Sequence, residues 1–466
     1  MSKEPKILIV GAGPCGLGAA VRLSELGYSN WLLVDAFSGP GGLAATWEDA
    51  EGFKWDVGGH VIFSHYKYFD DVLDDALGTE WNHHQRESWV WMRKRFIPYP
   101  LQNNIHRLPK EELETCLHGL VDVSNKSFEG PPRDFKEWLI RKFGQGLYDS
   151  FMRPYNFKVW AVDPSGMNVE WMGERVAPVD LKRIISNVVH NKDDIGWGPN
   201  ATFRYPKFGG TGAIWKAVGS RIDPSRCRYG TQMVEVDAEA KKAKFSDGTE
   251  ESYDFLISTV SLDLFLGMCR NIPLPSNLSY SQEEQENVRK GVRFATTHVI
   301  GIGMKGQPPP HLKTKAWMYF PEDDVPFYRS TVLSNYSSDM VPSSGGPFWS
   351  LMFEVSQSED KPLDASRVVE DVSQGYPVPF YGRDQLCKST FQVLEAAGIR
   401  SRGRFGAWKY EVANQDHSFM QGVEAADACL GRNSPFAAEK TFHSPGFVNA
   451  RENRSEVSFS GYNNKR

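Results

Sequence analysis

Residues 6–35 constrain the fold more than any other stretch. Lys6-Ile-Leu-Ile-Val10 is a short apolar run that ends at glycine, the pattern of a buried parallel strand. Gly11-Ala-Gly13-Pro-Cys-Gly16 follows, then Leu17 to Leu26 with helical spacing, then Asn30-Trp-Leu-Leu-Val34 closing on Asp35. Strand, GxGxxG turn, helix and a second strand ending in an acid make the order of a dinucleotide-binding βαβ unit. Gly11 serves the tight turn, Gly13 lets a pyrophosphate approach the backbone, and Gly16 lets helix and strand pack closely. Free N–H groups at the helix start are placed to hold the pyrophosphate, and Asp35 to accept hydrogen bonds from ribose hydroxyls.

The remaining composition narrows the classes. The chain has 466 residues, 40% hydrophobic and 13% aromatic, which suits two or three packed domains and excludes a disordered chain. A net charge of −5 carries no electrostatic footprint for nucleic acid or an anionic membrane, so neither is expected as a partner. Apolar runs such as Ile7–Val10 and Trp31–Val34 fall far short of a membrane span. The N-terminus enters a strand pattern at once, without a signal-peptide apolar region, and a cytoplasmic protein is expected. The six cysteines, at 15, 116, 227, 269, 387 and 429, form no CxxC pair, and the eleven histidines include no HExxH, so no metal site is expected.

Residues 111–200 read as an inserted helical domain. Glu111 to Val121 looks helical, and Asp134 is a candidate N-cap with Glu137 at the capping-box position. Phe135, Trp138, Leu139, Phe143, Leu147 and Phe151 recur near helical spacing, as a core face does. Thr231 to Ser246 and Tyr253 to Thr259 read as strands joined by the turn Asp247-Gly248. Thr297–Gly303, Lys315–Phe320, Arg329–Ser334 and Phe348–Val355 read as an antiparallel sheet.

Six residues beyond Asp35, Gly41-Gly42-Leu-Ala-Ala-Thr46 resembles the second glycine pair of the amine-oxidase-like FAD enzymes. Longer motifs sharpen this. They are Gly58-Gly-His-Val-Ile-Phe-Ser-His-Tyr-Lys-Tyr-Phe-Asp-Asp71, Pro98-Tyr-Pro-Leu-Gln-Asn-Asn104, Arg153-Pro-Tyr-Asn-Phe-Lys-Val-Trp160 and Gly198-Pro-Asn-Ala-Thr-Phe-Arg204. Trp317-Met-Tyr-Phe-Pro-Glu-Asp323, Phe327-Tyr-Arg329, Ser334-Asn-Tyr336, Arg402-Gly-Arg-Phe-Gly-Ala-Trp-Lys-Tyr-Glu-Val412 and Asn414-Gln-Asp-His-Ser-Phe-Met420 complete the set. Together they resemble the eukaryotic, fungal-type UDP-galactopyranose mutases over most of the chain. The resemblance implies an α/β fold: an FAD-binding Rossmann-like domain with an inserted helical domain and an antiparallel β-sheet domain. The expected division is FAD-binding at 1–97, 204–262 and 400–466, helical and uridine-binding at 98–203, and sheet at 263–399. It also implies an isomerase that interconverts UDP-galactopyranose and UDP-galactofuranose through a reduced-flavin N5–sugar adduct, with NADPH or NADH only as reductant.

The same resemblance assigns residues. Arg329 and Arg404 bracket the UDP pyrophosphate, a task for a permanently charged, forked cation, and Arg175 lies nearby. Tyr336, Tyr376 and Tyr410 contact phosphate through neutral phenols. Tyr99 stacks on uracil and Gln102 reads its edge, while Leu101 stands where fungal members carry an aromatic. Asn156, Trp160, Asn200 and Tyr319 line the nucleotide and sugar pocket. His60 follows Gly58 and Gly59, glycines that let the backbone flip as the flavin changes redox state, and Phe63 and His65 form the same wall. On the FAD side stand Gly11, Gly13, Gly16, Asp35, Gly41, Gly42, Met233, Asn414, Gln415 and Ser418. One departure matters: roughly two dozen residues, including a strand, precede Gly-Tyr-Pro in relatives, more than a short connection needs. Here a helix expected over Ser366 to Ser373 runs almost into Gly375-Tyr376-Pro377. A missing sheet strand would misplace Tyr376 or leave a flawed edge. Two rival readings stay open, a non-catalytic FAD-binding paralogue and an amine-oxidase-like oxidoreductase.

Overall fold

The computed structural model describes residues 4–172, 176–177, 179–195, 201–363 and 372–463. Its centre is a five-stranded parallel sheet in the order Ile399–Ser401, Phe255–Ser258, Ile7–Val10, Trp31–Val34 and Cys227–Arg228. Ile7–Val10 sits in the middle and is buried along its whole length, as its unbroken apolar run requires. Ile7 and Ile9 face the helices Pro14–Glu25 and Gln415–Cys429, while Leu8 and Val10 face the larger core. Those two helices touch backbone to backbone: a Cβ on Gly422 would lie 1.8 Å from the Cys15 carbonyl oxygen, and one on Gly18 2.1 Å from that of Phe419.

A four-stranded sheet lies beside it, in the order Glu250–Ser252, Lys242–Phe245, Met233–Asp237 and Cys269–Arg270. The single strand expected over Thr231 to Ser246 is therefore a hairpin. The Asp237 carboxylate accepts from the Ala240 N–H, and Lys241 takes a positive φ, which together fold the chain back. The Asp247-Gly248 turn joins Lys242–Phe245 to Glu250–Ser252, and not to Phe255–Ser258.

The third sheet has seven strands among the described residues, in the order Val372–Pro377, Phe294–Lys305, Phe348–Gln357, Arg329–Thr331, Trp317–Tyr319, Ser88–Met92 and Arg95–Pro98. It is antiparallel except where Trp317–Tyr319 runs parallel to Ser88–Met92. The segment before Tyr376 differs from the expected helix. Residues 372 and 373 are strand, not helix, and 366–371 lie outside the described residues. Among the described residues Val372–Pro377 is the edge strand, with Tyr376 opposite Ala295 and a register shift between Ala295 and Thr297.

The helical part includes Lys110–Ser124, Phe135–Leu147, Arg153–Trp160 and Leu181–His190. Asp134 accepts from the Glu137 N–H at 2.8 Å, but the Glu137 carboxylate turns to Arg133 and Arg141, so the expected capping box closes on one side only. The apolar periodicity does not run through to Phe151 as one helix. Gly144 breaks the helix at φ +75°, because a Cβ there would lie 2.3 Å from the Gly119 backbone, and a wide turn follows over Tyr148–Met152. That turn resets the phase of Arg153–Trp160, which presents Tyr155, Asn156 and Trp160 to the cavity described next. Among the described residues, no helix is long and apolar enough to cross a membrane.

Candidate active site

One continuous cavity of about 1280 Å³ runs from the Gly11–Gly13 turn past Gly58–His60 to Tyr99 and Gln102. Ordinary small-molecule pockets hold about 300–1,000 Å³, so this one has room for a dinucleotide and a second ligand. At its first end Gly11 holds φ +106°, and a Cβ there would lie 1.9 Å from Thr259 Oγ1. Gly13 caps the helix Pro14–Glu25 without any side-chain cap, so the first N–H groups stay open. The second glycine pair closes over the first: a Cβ on Gly42 would meet the Gly13 Cα at 3.1 Å. Gly16 and Gly41 stand behind this cradle and do not line the cavity.

Asp35 also shapes the turn. Its carboxylate accepts from the Ala12 and Phe37 N–H groups, and its burial raises its pKa while those two donors pull it back. Met233, Asn414, Gln415 and Ser418 line the same end, with the Gln415 amide oxygen held by Trp215 Nε1 at 2.8 Å. An uncapped helix start facing a bare glycine cradle fits the pyrophosphate of FAD, and these residues would hold it.

The second end is cationic and aromatic. Arg329 sits on a strand directly opposite Glu354, which grips the Nε–Nη2 edge of its guanidinium with both carboxylate oxygens. Burial pushes the Glu354 carboxyl up, but Arg329 and the Gly59 N–H outweigh it, and the pKa stays below the ordinary value. Arg404 differs. It donates to the Gly375 and Ala413 carbonyls, and among the described residues no carboxylate pairs with it. Its guanidinium lies 5.0 Å from the Tyr376 ring centre and 5.8 Å from that of Tyr410. Trp160 packs edge-on against both tyrosines. Burial raises the phenol pKa of Tyr99, Tyr319, Tyr336 and Tyr376, which keeps each a neutral donor.

Beyond them Tyr99, Tyr319 and Tyr155 form a chain of rings 5.1–5.2 Å apart, and Phe151 stacks on Tyr155 at 5.4 Å. Gln102 is buried in this wall. Its Nε2 donates to the Ala177 carbonyl, and its Oε1 has no partner among the described residues. A buried, unanswered amide oxygen is costly unless a ligand N–H reaches it. Asn156 donates Nδ2 to the Met152 carbonyl at 2.7 Å, bracing the wide turn from the cavity wall.

His60 stands between the two ends. Burial, then the charge of Arg404, pushes its pKa down to about 4, and its Nδ1 has no partner among the described residues. Because the folded value lies below the ordinary 6.5, the unfolded chain binds more protons between those values, and the His60 contribution makes stability rise with pH from about 4 to 6.5. NMR of imidazole-labelled protein should place the His60 titration near 4, with activity showing no His60 step between pH 5.5 and 8. A midpoint near 6.5 would refute the buried, neutral assignment.

Several expected site residues behave otherwise. His65 lies outside the main cavity, because its N–H and Nδ1 are bound to Asp416 Oδ2 and its ring stacks on His417 at 4.7 Å. It lines a second cavity of about 720 Å³ that shares Ile62 and Phe63 with the first. His65, Asp416 and His417 bring metal-ligand-type atoms within 4.8 Å of one another, but Asp416 Oδ2 is already engaged by His65. Leu101 is fully buried in the core and touches no part of the cavity, and Phe151 and Tyr155 supply the aromatic surface instead. Arg175 and Asn200 lie outside the described residues. Sequence reasoning missed Glu354, Tyr155 and Phe151 as site residues. Tyr155 stands inside the Arg153–Trp160 motif and was within reach, whereas Glu354 carries no local signal in an ordinary strand.

Known proteins resemble this chain in sequence and in fold. The flavin-containing amine oxidoreductase family matches residues 14–373. The crystal structure of a reduced UDP-galactopyranose mutase superposes with a TM-score of 0.91 at 49% identity, covering 98% of this chain and 100% of that one. A probable UDP-galactopyranose mutase of Klebsiella pneumoniae is 28% identical over 176 residues, 34% of this chain and 42% of that protein. The chain therefore spans less than half the length of that curated relative. A putative protoporphyrinogen oxidase from Exiguobacterium sp. 255-15 shares the fold, with a TM-score of 0.67 at 15% identity over 92% of this chain and 99% of that one.

Proposed function

The chain belongs to the UDP-galactopyranose mutases within the flavin-containing amine oxidoreductase family, and we propose that it interconverts UDP-galactopyranose and UDP-galactofuranose without net redox change. The observation that carries the reading is the pair of guanidinium groups in one cavity, one of them, Arg404, stacked on tyrosines without a counter-carboxylate among the described residues. A guanidinium with no carboxylate among the described residues, set beside an aromatic wall, suits an anion. A protonated amine, the substrate class of an amine oxidase, would be repelled there. Tyr376 lying beside Arg404 and Trp160 supports a competent site over the paralogue reading, and the turnover test below separates the two.

In this reading Tyr99 and Gln102 take the uracil, the base lying on the ring wall and offering its N–H to Gln102 Oε1. Arg329 and Arg404 hold the diphosphate, and Tyr376 and Tyr410 donate to it. Reduced FAD, when bound, supplies a nucleophilic ring nitrogen to the anomeric carbon. Arg329 and Arg404 then stabilise the charge that develops on the departing UDP and keep it in the cavity for return. His60 Nδ1, neutral and unpartnered, is available to accept a proton from a sugar hydroxyl. Trp160, Tyr376 and Tyr410 close the sugar's surroundings against water. A fungal-type lineage, NADPH or NADH as reductant and a cytoplasmic location belong to the same reading.

The test counts electrons. Enzyme reduced stoichiometrically with dithionite, kept free of oxygen and given UDP-galactofuranose should form many products per flavin, read by chromatography and flavin absorbance. One product per flavin oxidised means a redox enzyme instead, and UDP binding without product means a paralogue. Arg404→Lys keeps the charge but loses the planar fork, and should weaken UDP binding by about ten- to a hundredfold, the worth of a charge-assisted hydrogen bond, with FAD retained. Unchanged UDP affinity in calorimetry would remove Arg404 from the diphosphate site.

A further inference from the structure

Arg329 and the Gly58–His60 loop meet at a single oxygen atom. Glu354 Oε1 accepts from Arg329 Nη2 at 2.8 Å and from the Gly59 N–H at 2.8 Å, while Oε2 accepts from Arg329 Nε. The glutamate is 2% exposed. The loop presses on the ion pair so closely that a Cβ on Gly59 would lie 3.2 Å from Arg329 Nη2, and one on Gly58 3.2 Å from Glu354 Oε1. His60, the next residue, carries the unpartnered Nδ1. The strand register fixes the arrangement, since Arg329 and Glu354 are paired across adjacent strands.

We infer that Glu354 is a positioning residue that couples diphosphate occupancy at Arg329 to the backbone at Gly59 and so to His60. The inference rests on the UDP-binding reading above. An arriving diphosphate draws the guanidinium charge that Glu354 otherwise neutralises. The carboxylate then shifts its share toward the remaining donor, the Gly59 N–H, and the loop tightens while the nucleotide is present. The same carboxylate lowers the pull of empty Arg329 on anions, so it opposes ground-state UDP binding while holding the loop for turnover.

Two measurements test this. In the parent holoenzyme, hydrogen–deuterium exchange of a peptide spanning Val57–Ile62 should slow with saturating UDP and stay unchanged with uridine, which lacks the diphosphate. Glu354→Gln keeps one acceptor and removes the charge. It should bind UDP about fivefold or more tightly in calorimetry, because Arg329 loses its counter-ion, while kcat falls by about tenfold or more as the anchor at Gly59 weakens. Glu354→Asp keeps the charge but not the reach, and should leave UDP affinity near the parent value while kcat falls. A purely structural glutamate would weaken binding and turnover together, and that pattern overturns the inference. So does a Val57–Ile62 peptide indifferent to UDP, a measurement that needs no variant to fold. A parent protein that fails to bind UDP at all overturns the functional reading itself, and is thereby distinguished from failure of the coupling alone.

Discussion

Arg329→Met should abolish turnover and also destabilise the protein by about 3–5 kcal/mol, the usual cost of stripping one partner from a buried ion pair. The pairing is complete on the Glu354 side, since Arg329 Nε and Nη2 occupy its two oxygens and the Gly59 N–H adds a third donor. Methionine fills much of the arginine stem's space, so the loss is electrostatic rather than a cavity. Glu354 would then lie 2% exposed with a single backbone donor, and its carboxyl pKa, now below the ordinary value, would rise through burial. In the parent, the pair's stabilisation is present above the unfolded glutamate pKa and is lost as pH falls through the lower folded value. The variant should lose that acid transition. The double variant Arg329→Met/Glu354→Leu should recover most of the stability, because no charge is left buried, but none of the activity. Urea unfolding with UDP calorimetry separates the two effects. A stable, UDP-binding Arg329→Met protein would remove both the ion-pair energetics and the diphosphate assignment.

How much of this could be read before the structure depended on whether the determinant was local. The βαβ turn was legible because its glycines are demanded by contacts within a few tens of residues, Gly16 against the Gly11 carbonyl and Gly42 against Gly13. The Asp134 cap was legible for the same reason. The hairpin at Ala238–Lys241 was missed although it too is local, because strand propensity on both sides hid the Asp237 turn. Glu354 could not be seen at all: its partner lies 25 residues away and its other donor 295. His65 was read from a motif that placed it in the right loop but could not say which way the ring faces. Asp416, from the start of a distant helix, turns it to the second cavity. The segment before Tyr376 could be read only as shortened, because its placement depends on pairing with Phe294–Lys305, a strand about 80 residues earlier in the chain.

Gly422→Val should be strongly damaging although it lies outside the substrate cavity. A Cβ at Gly422 would lie 1.8 Å from the Cys15 carbonyl oxygen and 2.8 Å from the Ala19 nitrogen, both backbone atoms of the facing helix. Neither can rotate away as a side chain could, so the helices must part. Overpacking a core typically costs about 1–3 kcal/mol, and a rigid backbone clash with a branched side chain belongs at or beyond the top of that range. Gly422→Ala should show the same effect at smaller size. The consequence reaches the cofactor, because both helices begin at the cradle: Pro14–Glu25 at the Gly11–Gly13 turn, and Gln415–Cys429 at Asn414, Gln415 and Ser418. Separating them along their length tilts their N-terminal N–H groups away from a common pyrophosphate. FAD should therefore dissociate at lower denaturant than global unfolding requires, seen as flavin fluorescence rising before the far-UV signal falls. Gly446→Ala is the control. Nothing lies within 4 Å of its Cβ position, and it should change stability by no more than about 0.5 kcal/mol. Equal melting temperatures and equal FAD retention in Gly422→Val and Gly446→Ala would mean that the close helix contact is not what holds the cradle together.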